Sequence, residues 1–368
     1  MHVFLLLILA SSAWARLARL ETHGDDRIPG RFFVGLKEGT DFDGAVFTTE
    51  SLAGNVVKKF KNLNLFVLDG IGEKLLEKIR EIDVVEYIEE DSIVRKQAVT
   101  WGLDRVDQRS SSLDGRYNPS GDGSGSHIYV IDTGINKDHR DFSGRAHYAY
   151  DAILGRSGTA KDCNGHGTHC AGTTASDTYG VAKKAQVYGV RVLDCNGSGY
   201  NSDVVEGIDW VAKYHKNPAV ASLSLGGGRS TSTDSAIKRL SKSGVVVSVA
   251  AGNSNRNACN YSPARSSYAI TVGATTKYDA RSSYSNYGSC VNIFAPGSSI
   301  TSTWHKSNSA TNTISGTSMA CPHVSGAAAV LLGKGYSKTS SERKLINDAT
   351  SNRVTDVKGS PNRLLYIG

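Results

Sequence analysis

Ile128-Tyr129-Val130-Ile131 runs apolar without a break and stops on Asp132-Thr133-Gly134. A short apolar run ending in a turn of this kind reads as a buried strand with a loop at its carboxyl end. The same grammar repeats downstream. Residues 187–192, 220–225, 245–249, 270–272 and 291–294 are strand-like, with 220–225 ending in Gly226-Gly227-Gly228 and 245–249 in Ala250-Ala251-Gly252-Asn253. Between them, Val204, Val205, Ile208, Val211 and Tyr214 fall at helical spacing within 203–214. Residues 235–240 read as a second helix, and 318–332 as a small-residue helix that is apolar all round and therefore buried. Continuous apolar strands alternating with helices predict an α/β fold, a doubly wound, mostly parallel sheet with helices on both faces. Such sheets hold ligands beyond the carboxyl ends of their strands. Asp132, Gly226 and Asn253 all occupy such ends.

The chain has 368 residues, 39% hydrophobic and 21% charged, which fits about two packed domains and excludes global disorder. Its charge is uneven. Residues 1–97 carry 13 basic and 16 acidic side chains, net −3, and residues 98–368 carry 29 and 19, net +10. All six cysteines lie in the second part. No dense Lys/Arg run marks a nucleic-acid partner. Residues 3–10 are apolar and lead to Ala13-Trp14-Ala15, a cleavage pattern that predicts a signal peptide over 1–15 and a secreted, extracellular product. The run is far shorter than the ~20 residues of a membrane span, and no later segment fits one, so no membrane partner is expected.

The front part reads as a small α+β domain over about 31–94. A strand from Arg31 leads to a Gly/Asp-rich turn. Residues 60–68 alternate like one half-buried strand. Leu75, Leu76, Ile79 and Ile82 share a helical face, and 84–88 is another strand. Residues 92–100 show neither period and form the boundary.

Three motifs carry chemistry: Asp132-Thr133-Gly134, Asn164-Gly165-His166-Gly167-Thr168-His169 and Ser315-Gly316-Thr317-Ser318-Met319-Ala320. Each alone is an ordinary turn or cap. Together they offer a carboxylate, a base and a nucleophile in the chain order Asp, His, Ser, the order known for subtilisin. With VASLSLGGG at 220–228, VAAGN at 249–253, TYGVAKK at 178–184 and FAPG at 294–297, the body resembles the subtilase family of serine proteases, in its proteinase K and aqualysin-like branch. The front part, ending VVEYIEEDSIV, is similar to the inhibitor-type subtilase propeptide.

The resemblance implies a secreted serine endopeptidase made as an autoprocessed zymogen, with a propeptide over 16–97, a peptidase domain over 98–368 and the processed bond at Gln97-Ala98. Ser318 is then the nucleophile, His166 its base and Asp132 the group that orients His166. The Ser318 N–H and the Asn253 amide form the oxyanion hole. Ser224, Leu225, Gly226, Ala251 and Gly252 become the walls that pair with an extended protein or peptide substrate. Their small size predicts a broad preference for apolar or aromatic P1 residues. The propeptide is expected to act as an intramolecular inhibitor and the enzyme to work as a monomer. A reading from another class is a binding protein whose front domain never leaves.

Six cysteines allow fifteen pairings, so counting chooses none. The resemblance implies Cys163–Cys195 and Cys259–Cys290, each closing a loop worth roughly 3–4 kcal/mol of unfolded-state entropy. Cys170 and Cys321 remain, either paired beneath the active site or both buried thiols, and free thiols are the expectation. Cys163, His166, His169 and Cys170 have zinc-like spacing, but secreted cysteines tend to oxidise. No cofactor is expected for catalysis. Asp104, Asp107 and Gln108 resemble a structural calcium site of aqualysin-like relatives. At a second family calcium position Asn292 stands where a carboxylate is usual. Asn196-Gly197-Ser198 and Asn260-Tyr261-Ser262 are glycosylation sequons, the second against the expected S1 wall.

Overall fold

The computed structural model of the chain describes residues 17–22, 27–53, 55–92 and 99–368; the expected signal peptide over 1–15 and the expected processing bond Gln97-Ala98 lie outside them. Two units separate, Met1–Lys96 and Gln97–Gly368.

The front unit contains β1 (Arg19–Glu21), β2 (Arg27–Leu36), α1 (Phe42–Ala53), β3 (Val56–Phe60), β4 (Leu65–Leu68), α2 (Glu73–Arg80) and β5 (Val85–Ser92). Its sheet has the order β1-β5-β2-β4-β3. Val34, Phe66, Leu68, Ile79 and Ile88 form the centre of its core. Three expectations change. The α+β domain begins at Arg19 rather than near Arg31, because β1 pairs in parallel with β5. Residues 60–68 are not one strand. A 3₁₀ turn at Lys61–Leu63, closed by Asn64 in the left-handed region (φ 54°), folds β4 back on β3. Helix α1 follows the Gly/Asp-rich turn, burying Phe42, Ala45, Val46 and Thr49 at i, i+3, i+4 and i+7. Phe47 and Leu52 lie on its exposed side and blur that stripe in the sequence.

The second unit opens with α3 (Trp101–Val106). Then follow β6 (His127–Asp132), β7 (Ala146–Asp151), β8 (Arg156–Ser157), α4 (His166–Ala175), β9 (Gln186–Arg191), α5 (Asn201–Tyr214), β10 (Ala219–Leu223), β11 (Gly227–Gly228), α6 (Thr231–Lys242) and β12 (Val246–Ala250). The chain continues through β13 (Tyr261–Ser262), β14 (Ile270–Thr275), β15 (Ile293–Pro296), β16 (Ile300–Thr303), β17 (Thr311–Ile314), α7 (Thr317–Gly333), α8 (Lys338–Asn347), β18 (Thr350–Ser351) and β19 (Arg363–Leu364). The large sheet has the order β18-β19-β15-β14-β12-β10-β6-β9-β7-β8. Every pairing in it is parallel except β18 with β19 and β8 with β7, at the two edges.

Strand β6 shows why the sheet is covered twice. Successive side chains of a strand point to opposite faces. Ile128 and Val130 join the core that includes Ala171 of α4 and Val324 of α7, while Tyr129 and Ile131 join the one that includes Ile208 of α5 and Ile237 of α6. Both faces are apolar, so the strand reads as a continuous run. Winding also reverses beside β6. The chain lays down β7 and β9 on one side of it, then β10, β12, β14 and β15 outward on the other. A reversal of this kind opens a crevice at the carboxyl ends of the strands beside it. Asp132 ends β6 at that point.

Candidate active site

Asp132 is buried, and His166 begins α4 directly after Gly165. His166 Nδ1 donates to Asp132 Oδ1 at 2.7 Å, and the Thr133 N–H donates to the same oxygen at 2.8 Å. Burial disfavours a charged imidazole, but the adjacent Asp132 carboxylate outweighs it and holds the His166 pKa well above its ordinary value. Cys170 Sγ lies 3.9 Å from His166 Nδ1. Burial pushes that thiol up, so it is uncharged at neutral pH and the elevation of His166 rests on Asp132.

Ser318 stands in the first turn of α7, where backbone N–H groups have no intrahelical acceptor. Its hydroxyl donates to the Ser224 carbonyl at 3.1 Å. Four residues on, Pro322 sits inside α7 and has no N–H for the Ser318 carbonyl. The Ser224 hydroxyl donates to that carbonyl at 2.8 Å and the Cys170 thiol at 3.4 Å. The Asn253 carboxamide is fixed by its oxygen, which accepts the Thr317 N–H at 2.8 Å and the Thr317 hydroxyl at 2.9 Å. Its NH₂ is left to face the cleft.

That cleft encloses about 810 Å³ and is lined by His166, Asn253 and Ser318 together with Ser224, Leu225, Gly226, Ala251 and Gly252. β10 stops at Leu223, so the peptide groups of 224–226 leave the sheet and edge the cleft. Gly252 has φ +100°, and a Cβ there would stand 2.4 Å from Asn286 Nδ2, which donates to the Ala251 carbonyl. Only glycine satisfies both constraints. The arrangement supplies a hydroxyl, an imidazole tuned by a buried carboxylate, and two N–H donors around one space, which is the equipment of acyl transfer.

Residues 123–364 match the subtilase family, peptidase family S8. This chain belongs to the subtilase family. It is 48% identical to the extracellular serine proteinase of Thermus sp. (strain Rt41A), over 97% of this chain and 93% of that one. It is 44% identical to proteinase R of Parengyodontium album, over 94% and 91%. A cold-adapted subtilisin-like serine proteinase of known crystal structure matches 74% of this chain and 99% of its own, at 50% identity and a TM-score of 0.72. The protein is therefore a secreted serine endopeptidase with the subtilisin fold. No helix among the described residues is long and apolar enough to cross a membrane.

The subtilase contains the disulfides Cys163–Cys195 and Cys259–Cys290, while Cys170 and Cys321 are free and buried. The zinc-like set is therefore broken. Cys163 is oxidised, and His169 Nε2 bonds the Ile300 carbonyl at 3.0 Å. Among the described residues, one group of three potential metal ligands converges, and it is Asp132, His166 and Cys170.

Asp104 and Gln108 touch at the end of α3, where Gln108 Nε2 donates to Asp104 Oδ1 at 3.2 Å. Asp104 also accepts the N–H groups of Asp114 (3.2 Å) and Gly115 (2.7 Å), so it organises the following loop. Asp107 Oδ2 accepts the Asn118 N–H, but its buried Oδ1 has no partner among the described residues. Burial raises the Asp107 pKa, and the charges of Asp104 and Asp114 add to the rise. The buried, unpaired Asp107 oxygen suits a hard cation, with Asp104 and Asp114 near enough to act on it by charge although the three carboxylates do not converge on one point. Asn292 uses its side-chain oxygen internally, accepting the Thr271 N–H at 2.7 Å. Of the two sequons, Asn196 is exposed, whereas Asn260 accepts from Arg229 and its Ser262 is buried in β13.

Sequence reasoning missed Asp162 altogether, and gave no role to Thr133 and Thr317 although both lie inside the motifs that carry the chemistry. Their contribution is hydrogen bonding, which leaves no hydrophobic period. The one available signal was an Asp just ahead of a helix start, a capping pattern.

Proposed function

We propose that this subtilase is exported by a signal peptide over 1–15, is made as a zymogen, and cleaves peptide bonds through Asp132, His166 and Ser318. The observation that carries this reading is the His166–Asp132 contact beside Ser318 in one cleft with Asn253. In the reacting arrangement the Ser318 hydroxyl turns from the Ser224 carbonyl to His166 Nε2. Ser318 Oγ bonds to the scissile carbonyl carbon as its proton passes to His166. The oxyanion that forms is held by the Ser318 N–H and Asn253 Nδ2. His166 then gives its proton to the leaving amine as the C–N bond breaks. Water repeats the sequence on the acyl-enzyme, with His166 again as base. Asp132 keeps the Nδ1–H tautomer and stabilises the imidazolium without taking the proton.

Gly226, Ala251 and Gly252 leave room for apolar or aromatic P1 residues, and the peptide groups of 224–226, which lie beyond the end of β10 at the cleft edge, suit an extended substrate strand. The front unit acts as an intramolecular inhibitor until the chain is cut at Gln97-Ala98. Supporting this are its own core, its −3 charge against +10 for the rest, and its inclusion in the alignment with the Thermus proteinase. The working form is a monomer. A calcium ion held by Asp104 and Asp107 with Gln108 nearby stabilises the loop from 108 to 118 and takes no part in the chemistry.

The test is the Ser318→Ala full chain expressed with secretion. The proposal expects an uncleaved precursor and, for the wild type, peptide-library cleavage after apolar and aromatic residues. A Ser318→Ala chain that matures alone contradicts self-processing.

A further inference from the structure

Asp162 is buried, and it is neither a member of the proposed triad nor a cleft wall. Its carboxylate is nevertheless saturated. Oδ1 accepts the Thr133 hydroxyl and the N–H groups of Asn164 and Gly165, each at 2.9 Å. Oδ2 accepts the Thr168 N–H at 2.9 Å and the Thr168 hydroxyl at 2.5 Å.

These donors come from both halves of the machinery. Thr133 follows Asp132 at the end of β6 and gives its own N–H to Asp132 Oδ1. Its hydroxyl, while donating to Asp162, accepts the Gly167 N–H at 2.9 Å. Asn164 to Thr168 is the turn that opens α4 and contains His166, whose N–H is taken by Asn164 Oδ1 at 3.1 Å. Thr168 Oγ1 also accepts the Asn136 N–H at 2.9 Å, tying the same turn to the segment that follows β6. Three of the donors are backbone N–H groups, which cannot reverse direction. An acceptor-only group with two oxygens is therefore required. A negative charge is tolerated there without a cationic partner because it lies at the N-terminus of α4.

We infer that Asp162 is a positioning residue, which by joining Thr133 to the opening turn of α4 sets the distance and angle between His166 and Asp132. It acts through those two residues and does not touch substrate. Asn in its place would present an NH₂ to at least one fixed N–H, pushing the α4 turn away from β6. A misplacement of about 1 Å is enough to cost a positioned base on the order of 10²-fold in rate.

The inference rests on the triad reading above, and Ser318→Ala separates the two. Mature wild-type, Asp162→Asn, Thr168→Val and Thr168→Ser enzymes, together with the Ser318→Ala chain cut in trans by wild-type enzyme that is then removed, are assayed on one peptide substrate across pH, with Tm measured in parallel. Asp162→Asn should lower kcat about 10–100-fold. It should also move the acid limb of kcat/KM to lower pH, because His166 loses part of its contact with the Asp132 charge. Thr168→Val should do the same to a smaller degree, and Thr168→Ser should match the wild type. If Asp162→Asn yields no mature enzyme, the Thr168 pair carries the test. A wild-type acid limb and kcat in Asp162→Asn or Thr168→Val, with only Tm reduced, overturns the inference. Full turnover in Ser318→Ala overturns the triad reading instead.

Discussion

Ser224 and Ser318 are joined twice: the Ser318 hydroxyl donates to the Ser224 carbonyl at 3.1 Å, and the Ser224 hydroxyl donates to the Ser318 carbonyl at 2.8 Å. The second bond exists because Pro322 leaves that carbonyl without its helical partner. Ser224→Ala should therefore destabilise the protein by about 1–3 kcal/mol, the cost of an unsatisfied buried acceptor. Thermal melts of the mature enzyme check this. The Cys170 thiol remains as the weaker donor, so Ser224→Ala combined with Cys170→Val should cost more than either alone.

Asn253 is aimed by Thr317. Asn253→Leu should lower kcat by about 10²–10³ with little change in KM; that magnitude is the one known for the equivalent donor in subtilisin rather than a product of this geometry. Thr317→Val removes one of the two bonds holding the amide oxygen and should lower kcat less. Steady-state kinetics on a peptide anilide distinguishes the two. A rise in KM alone would place Asn253 in ground-state binding.

The charge of Asp132 raises the His166 pKa, so kcat/KM should fall on acidification with a limb above pH 6.5. Asp132→Asn should move that limb down and reduce kcat by about 10⁴. Stability has the opposite sign. A histidine whose pKa is raised by folding stabilises the protein fully below 6.5, and that contribution fades as pH rises through the folded value.

Two other histidines act the other way. Burial lowers His169 and His323 to about 4, from 6.5. Their contribution is complete above pH 6.5 and is lost as pH falls towards 4, by about 3 kcal/mol each at most. His323 gives Nδ1–H to the Met319 carbonyl at 2.8 Å in the helix that carries Ser318. Denaturant unfolding at pH 7.5 and pH 4.5 should show a smaller acid loss in His323→Gln than in the wild type.

The unpaired Asp107 oxygen gives the calcium proposal its own test. Removing calcium with a chelator should lower Tm, and calcium should restore it. Asp107→Asn should abolish the response. Calcium-independent melting of the wild type contradicts the site.

Much of this was legible in the chain. Apolar runs such as Ile128 to Ile131 are continuous because both faces of the sheet are covered, and the turn residues after them lie at the crevice. Asp132, His166 and Ser318 are distant in sequence, and their chain order together with the flanking motifs signalled one site. Two kinds of feature were hidden. Helix α1 was obscured by Gly44 in its first turn and by Phe47 and Leu52 on its exposed side. Asp162 was obscured because its five donors come from residues that only the fold brings together.

The central claim is that Ser318 is an activated nucleophile in the mature enzyme. Labelling secreted, matured protein with a fluorophosphonate and locating the adduct by peptide mass tests it most directly. The account predicts one adduct, on Ser318, with loss of peptidase activity and greatly slowed labelling in His166→Ala. Full peptidase activity in protein that takes no label at Ser318, or an adduct on another residue, would contradict it.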